Sequence, residues 1–307
     1  MKILCVCLSS TLQRTISFEN LKLENVNRSK HYRLDASGKA VNSARVLEQL
    51  EKGCSTIVCP LGENNLGAFT DAAEKDNLEM CYVTIPGNTR ECWTLLDRSA
   101  GTTTELVVGE PLLESEEDKK AVAAAEIKML TFINDALPQV DAVLLAGSRP
   151  KIWSDDLYAT IAGMTHDAGK LFLADYIGED MKKTLAVPGS IPDIIKINEE
   201  EFRATFPECQ ELALKDAICK KSQELSDIIV ITRGKDSTYA ADKGTFYECP
   251  AEVVKPLNTT ACGDSFNAGF IYEFIKSGNL EAALKKGTWC AARNAELECP
   301  GAIHTPR

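Results

Sequence analysis

Six short apolar runs punctuate the chain: "KILCVCL", "STIVCPLG", "DAVLLAG", "KLFLAD", "DIIKIN" and "DIIVITRG", mostly ending in Gly, Asp or Asn. Each is nearly continuous in its apolar character, which suits strands buried on both faces of a parallel sheet. Longer amphipathic stretches lie between them, at 39–51, 65–76, 115–137, 154–168, 199–205 and 211–225. In the first of these, Val41, Ala44, Leu47 and Leu50 recur every third residue along one side. Strands alternating with helices predict an α/β protein of three layers, α/β/α, around a mostly parallel central sheet.

The alternation breaks in two places. Residues 10–35 carry no helical pattern, and residues 81–108 read as three short strands, "CYVTIP", "CWTLLD" and "TTTELVV". These two segments predict a small second sheet acting as a lid. With no internal repeat, low-complexity tract or long linker, residues 1–307 are expected to form one domain. Further on, "STYAADKGTFYECP" reads as a hairpin with Gly244 in its turn, followed by helices at 263–276 and 279–296.

The charge balance excludes some partners. Lys plus Arg number 34 against 45 Asp plus Glu, a net charge of −11, so nucleic acid and anionic membrane are not expected. An anionic small substrate would need a local cluster of cations. No apolar run reaches the roughly 18 residues needed to cross a bilayer. The opening "MKILCVCLSS" reads as a buried first strand rather than a signal peptide. The twelve cysteines are scattered without a CxxC pair, and His31, His166 and His304 are isolated. Zinc is therefore not expected, and reduced thiols in a cytoplasm are.

Neither a GxxxxGK[ST] loop nor a GxGxxG turn is present. Chemistry is sought instead in "NTTACGDSFNAGF", 258–270, where small residues precede Asp264 at the start of a helix. Backbone N–H groups there can converge on an anion, helped by the helix dipole. Asp264 then either caps the helix or accepts a proton beside the anion. Cys262, at the same helix start, is expected to have a lowered thiol pKa and to react with alkylating agents. In "SGKAVNSARVL", Gly38 and Lys39 open the first helix, and Lys39 and Asn42 share a face that suits a sugar phosphate or simply meets solvent. In "KINEEEF", Asn198 and Glu201 stand three apart, a spacing that can hold hydrated magnesium beside a triphosphate or form a solvated first turn. "ITRGKDS" closes a strand with Thr232 and Gly234, a weak signal alone, and Arg90 in "PGNTRECW" could close onto a phosphate.

Taken in order, these stretches resemble the ribokinase-like sugar kinases, the phosphofructokinase B family, over essentially the whole chain. Within that family the chain looks most like the 1-phosphofructokinase and tagatose-6-phosphate kinase branch. "NTTACGDSFNAGF" is similar to the C-terminal signature DTxGAGDxFxAGF, "DASGKAVNSARVL" to the glycine-lysine motif, and "KINEEE" to the Asn-x-x-Glu motif. "NTRECW" resembles the branch's Thr-Arg segment, and "LAGSRP" its Gly-Ser turn. The resemblance implies that Asp264 is the general base and that Ala261, Cys262 and Gly263 form the anion hole. It implies a nucleotide near Thr232, Gly234 and Asn294, with Asn198 and Glu201 organising magnesium through water. It places Gly38, Lys39, Asn42 and Arg90 at the sugar phosphate, and implies a homodimer formed through the lid sheet.

The chain departs from that pattern where the branch reads Asn-Pro-Ala-Leu-Asp. Here the stretch is "SSTLQ", with Gln13 in the place of an aspartate that contacts the sugar. Ser37 and Ala40 replace glycines of the lysine motif, and Ala261 replaces one in the anion hole. The expected activity is ATP-dependent, magnesium-assisted phosphorylation of a ketohexose phosphate, fructose 1-phosphate giving the bisphosphate. Tagatose 6-phosphate, an unphosphorylated sugar or a nucleoside are the alternative acceptors. A sugar-phosphate sensor on a kinase scaffold is the alternative outside enzymes.

Overall fold

The computed structural model describes residues 1–225 and 227–304. One sheet of nine strands runs through it, in the order β13-β12-β11-β10-β9-β8-β1-β4-β5. Its members are β1 (Ile3–Val6), β4 (Ser55–Gly62), β5 (Met80–Ile85), β8 (Ala142–Ala146), β9 (Leu171–Asp175), β10 (Ile194–Asn198), β11 (Ile228–Thr232), β12 (Thr238–Asp242) and β13 (Thr245–Cys249). Strands β5 to β11 in that order pair in parallel, and the β12–β13 hairpin adds an antiparallel edge. Lys243 and Gly244 at the hairpin's tip both have positive φ, 47° and 88°, the geometry of a turn whose twist matches the strands.

Helices cover both faces, which explains the continuous apolar runs. Ile3 and Cys5 of β1 face one layer while Leu4 and Val6 face the other. The first layer holds α1 (Lys39–Leu50), α2 (Leu66–Lys75), α8 (Cys262–Ser277) and α9 (Leu280–Ala295). The second holds α3 (Glu116–Ala136), α4 (Leu157–Asp167), α5 (Gly178–Ala186), α6 (Glu199–Thr205) and α7 (Leu214–Leu225). Helix α5 has no counterpart in the sequence reading. Only Met181 and Thr184 of its nine residues are buried, too few to register as a period. Among the described residues no helix is long and apolar enough to cross a membrane.

The second sheet has the order β3-β2-β6-β7, formed by β2 (Thr11–Phe18), β3 (His31–Ser37), β6 (Arg90–Asp97) and β7 (Thr102–Val108). The stretch "CYVTIP", expected in this small sheet, instead forms β5 and extends the edge of the large one, with Ile57 opposite Met80. Val83 and Ile85 are buried there against the second helical layer, where their apolar side chains leave water.

Candidate active site

The polar residues singled out above gather at the carboxyl ends of the large sheet's parallel strands. The chain builds β1, β4 and β5 in one direction and β8 to β11 in the other, so the order reverses between β1 and β8. Such reversals leave a crevice at the strand ends. Asp175 ends β9, Asn198 ends β10 and Thr232 ends β11, while Lys39 opens α1 beside Gly147. The small sheet closes one side of the crevice. Its inner face is polar yet buried, with Thr11, Gln13, Thr15, Asp35 and Thr94 each under a tenth exposed. Glu105 of β7 accepts a hydrogen bond of 3.0 Å from Thr260, tying this sheet to the turn that starts α8.

In that turn Ala261 is left-handed, with φ 65° and ψ 12°, and no side chain caps α8. Asp264 therefore does not do the capping work that its position allows. Among the described residues the backbone amides of Gly263 and Asp264 donate to no protein atom. Two free donors at the positive end of a sixteen-residue helix are the groups an anion would need there. A Cβ at Gly263 would lie 3.0 Å from the Lys196 Nζ, a tight contact that the lysine would have to yield to.

Asp264 points away from its own helix terminus and accepts a 2.8 Å hydrogen bond at Oδ2 from Asn42. Burial pushes its carboxyl up, Lys39 and Asn42 pull it down, and the balance leaves it at about 6. That value suits a group that must be ionised near neutrality yet take a proton. Asn42, expected at the sugar phosphate, is buried and committed to this carboxylate. Its Oδ1 accepts from Ser37 Oγ at 2.9 Å and from Arg45 at 3.1 Å, while Nδ2 gives one of its two hydrogens to Asp264.

Lys39 also differs from expectation. Its ammonium pairs with Asp175 at 2.9 Å and lies 3.7 Å from Glu201, on the side of the Asn-x-x-Glu segment. Asp175, Lys196 and Asn267 were not anticipated from the sequence. Asp175 Oδ2 accepts from Lys196 Nζ at 3.0 Å and from Asn267 Nδ2 at 2.6 Å. The available signal was Lys196 itself, a lone charge inside the apolar strand "IIKIN".

Asn198 and Glu201 form a reciprocal cap on α6, each side chain bonding the other's backbone amide at 2.8 Å. Among the described residues no three His, Cys, Asp or Glu side chains converge as metal ligands. A magnesium ion that keeps most of its waters needs only one or two carboxylates beside phosphate oxygens. Glu201 fits that demand: Oε2 serves the cap and Oε1 is turned toward Lys39. Thr232 stands opposite Asn198 in register, and Gly234 just beyond is exposed with φ 62° and open space around it.

Asn294 is corrected outright. It is fully buried, donates to Thr260 O at 2.8 Å, and accepts from Ser265, Gly301 and Ala302. It clamps the anion turn from behind and has no free edge for a nucleotide. Cys262 is corrected as well. Burial pushes its thiol up to about 11, outweighing the Asn294 donor and the nearby Lys196, the opposite direction to the lowered thiol expected.

On the small sheet, Arg90 donates through Nε to Thr11 at 2.9 Å and pairs with Glu110, so its charge is already matched. Gln13 spends its amide nitrogen on Thr94 at 2.6 Å. Gly38 has φ 122°, and a Cβ there would fall 2.6 Å from the Cys7 sulfur, so only glycine lets α1 start against β1.

Comparisons with known proteins agree with this architecture. The profile of the pfkB family carbohydrate kinases matches residues 2–305. A possible 1-phosphofructokinase from Thermotoga maritima superposes with a TM-score of 0.84 at 19% identity, covering 100% of this chain and 94% of that one. Phosphofructokinase-2 from Escherichia coli in complex with fructose-6-phosphate gives 0.79 at 17% identity, covering 96% and 93%. Ribokinase from Thermotoga maritima gives 0.71 at 18% identity, covering 98% and 95%. At these identities the likeness is one of fold, which is ribokinase-like.

Proposed function

Because the chain belongs to the pfkB family of carbohydrate kinases, and is thus an ATP-dependent sugar kinase, we propose that its acceptor is a ketohexose phosphate, fructose 1-phosphate giving fructose 1,6-bisphosphate. The observation that carries the site assignment is Asp264, a buried carboxyl at about 6 beside the free Gly263 and Asp264 amides. Asp264 takes the proton of the acceptor hydroxyl as its oxygen bonds the γ-phosphorus and the bond to the ADP oxygen breaks. The amides and the α8 dipole hold the charge on the group in transit, work that is mostly positioning and neutralisation. Thr232 and Gly234 line the nucleotide end. Magnesium, held through water by Glu201 beside Asn198, would neutralise the triphosphate.

Arg90 supports a phosphorylated acceptor, being the arginine at the sugar end. Its pairing with Glu110 favours a second reading, a sugar without phosphate, since the cation is already neutralised. Coupled ADP release over a panel of sugars and sugar phosphates decides between them. Activity with neutral sugars only would overturn the ketohexose phosphate assignment.

We also take the small sheet as a lid on a single domain and as the contact surface of a homodimer. Its outward face carries Tyr32, Trp93, Leu106 and Val108, each at least 36% exposed. Light scattering that gives a monomer at micromolar concentration would remove this part. Twelve free cysteines, most of them buried, support a reducing cytoplasm.

A further inference from the structure

Among the described residues Asp175 is the only carboxylate of the site that meets two ammonium groups directly. It is 1% exposed at the end of β9, with Oδ1 on Lys39 Nζ at 2.9 Å and Oδ2 on Lys196 Nζ at 3.0 Å and Asn267 Nδ2 at 2.6 Å. We infer that Asp175 is a positioning residue for phosphoryl transfer, fixing the ammonium groups of Lys39 and Lys196 beside the anion turn so that both serve the transferred phosphoryl rather than the sugar's own phosphate. This rests on the reading of Asp264 as the base.

Three observations support it. The lysines come from separate elements, α1 and β10, and long flexible side chains hold one place only when something fixes their ends. Lys196 Nζ lies beneath Gly263, 3.0 Å from where a Cβ would be, which is under one of the two free amides. Lys39 leans toward Glu201, on the proposed nucleotide side, while Arg90 is held by Thr11 and Glu110. Asn267, three residues beyond Asp264 on α8, completes the arrangement. Its amide is fully buried, its Nδ2 is given to Asp175, and its Oδ1 has no partner among the described residues. One helix thus carries the base and a donor that orients the counter-ion of both cations.

Burial alone would push the Asp175 carboxyl up, but Lys196, Lys39 and the Asn267 donor outweigh it and hold it well below the usual range. It is therefore ionised at every working pH and acts as a fixed charge. That charge raises the Asp264 carboxyl, whereas both lysines lower it.

Asp175→Asn tests the role. We expect kcat to fall about ten- to a hundredfold, less than the roughly 10²–10³-fold for loss of a direct preorganised contact, with the sugar KM changed less than about threefold. The acidic limb of kcat/KM should also move to lower pH, because a negative neighbour of Asp264 is gone. Packing damage alone would not move the limb in that direction. A folded Asp175→Asn protein with kcat within about threefold of the parent, or with its limb unmoved or raised, overturns the inference. Should that variant not fold, Lys196→Met and Lys196→Met/Asp175→Asn are compared, since the double change removes one buried charge of each sign. The limb of the double variant must lie below that of Lys196→Met, and equal limbs overturn the inference. Asp264→Asn, run in parallel, tests the base reading alone: if it stays active, that reading fails whatever Asp175→Asn does.

Discussion

Asn42 donates its amide to Asp264 across 2.8 Å, joining α1 to α8 between residues 222 positions apart. The bond favours the ionised carboxylate, which burial otherwise pushes up to about 6. Activity should therefore rise with pH through about 6, as Asp264 loses its proton. Asn42→Ala removes the donor, so the acidic limb of kcat/KM should shift upward. A pH profile with the limb in place would mean that Asn42 does not govern the base. Asp264→Asn should lower turnover by about 10²–10⁴-fold while ATP still binds.

Arg90 separates the two acceptor readings. Charge-assisted bonds to phosphate contribute about 1.5–3 kcal/mol, so Arg90→Ala should weaken a sugar phosphate by about ten- to a hundredfold and leave the KM for ATP nearly unchanged. Glu110→Gln should act in the opposite direction, because Glu110 competes for the same guanidinium. Steady-state kinetics with phosphorylated and neutral sugars provide the check. Equal losses for ATP and sugar phosphate in Arg90→Ala would point to a general electrostatic defect instead.

Ala261 holds a left-handed backbone, φ 65° and ψ 12°, where glycine is strain-free. A Cβ in that region costs about 1–2 kcal/mol, partly offset by the larger unfolded-state entropy of glycine, about 0.5–1 kcal/mol. Ala261→Gly should thus raise Tm by about 1–3 °C. A calorimetric scan showing a lower Tm would mean that the alanine is not strained in the folded protein.

Asp227, at the amino end of β11, is buried with neither carboxyl oxygen hydrogen-bonded among the described residues. Burial, with Asp193 and Asp242 nearby, pushes its carboxyl up to about 8. The folded protein therefore holds this proton more tightly than the unfolded chain does. The stability that the proton contributes is complete below about 4 and is lost as pH rises through about 8. Asp227→Asn should flatten the fall of Tm between pH 5 and pH 9 and be the more stable protein at the alkaline end. Parallel Tm curves for the two proteins would show that Asp227 does not titrate there.

What was legible from residue order was local. The apolar runs and helical periods marked the layers because burial on two faces or one stripe leaves a pattern within a dozen residues. The small-residue turn leading into the helix at Asp264 was likewise readable, since it is a run of consecutive residues. Gly244 announced a turn whose backbone other residues resist. Tertiary structure decided everything that depends on a distant partner. "CYVTIP" carries strand character but not the identity of its neighbour, and the edge of the large sheet claimed it. Asn294 sits at a position a nucleotide contact could occupy, yet its surroundings use every polar atom it has. Cys262 lies at a helix start that lowers a thiol, and burial reverses the sign. Lys39 was expected to face a sugar phosphate and instead meets Asp175, 136 residues away. Charge, desolvation and hydrogen bonding fall off within a few ångströms, so they follow distance in space, which the order of residues along a chain does not record.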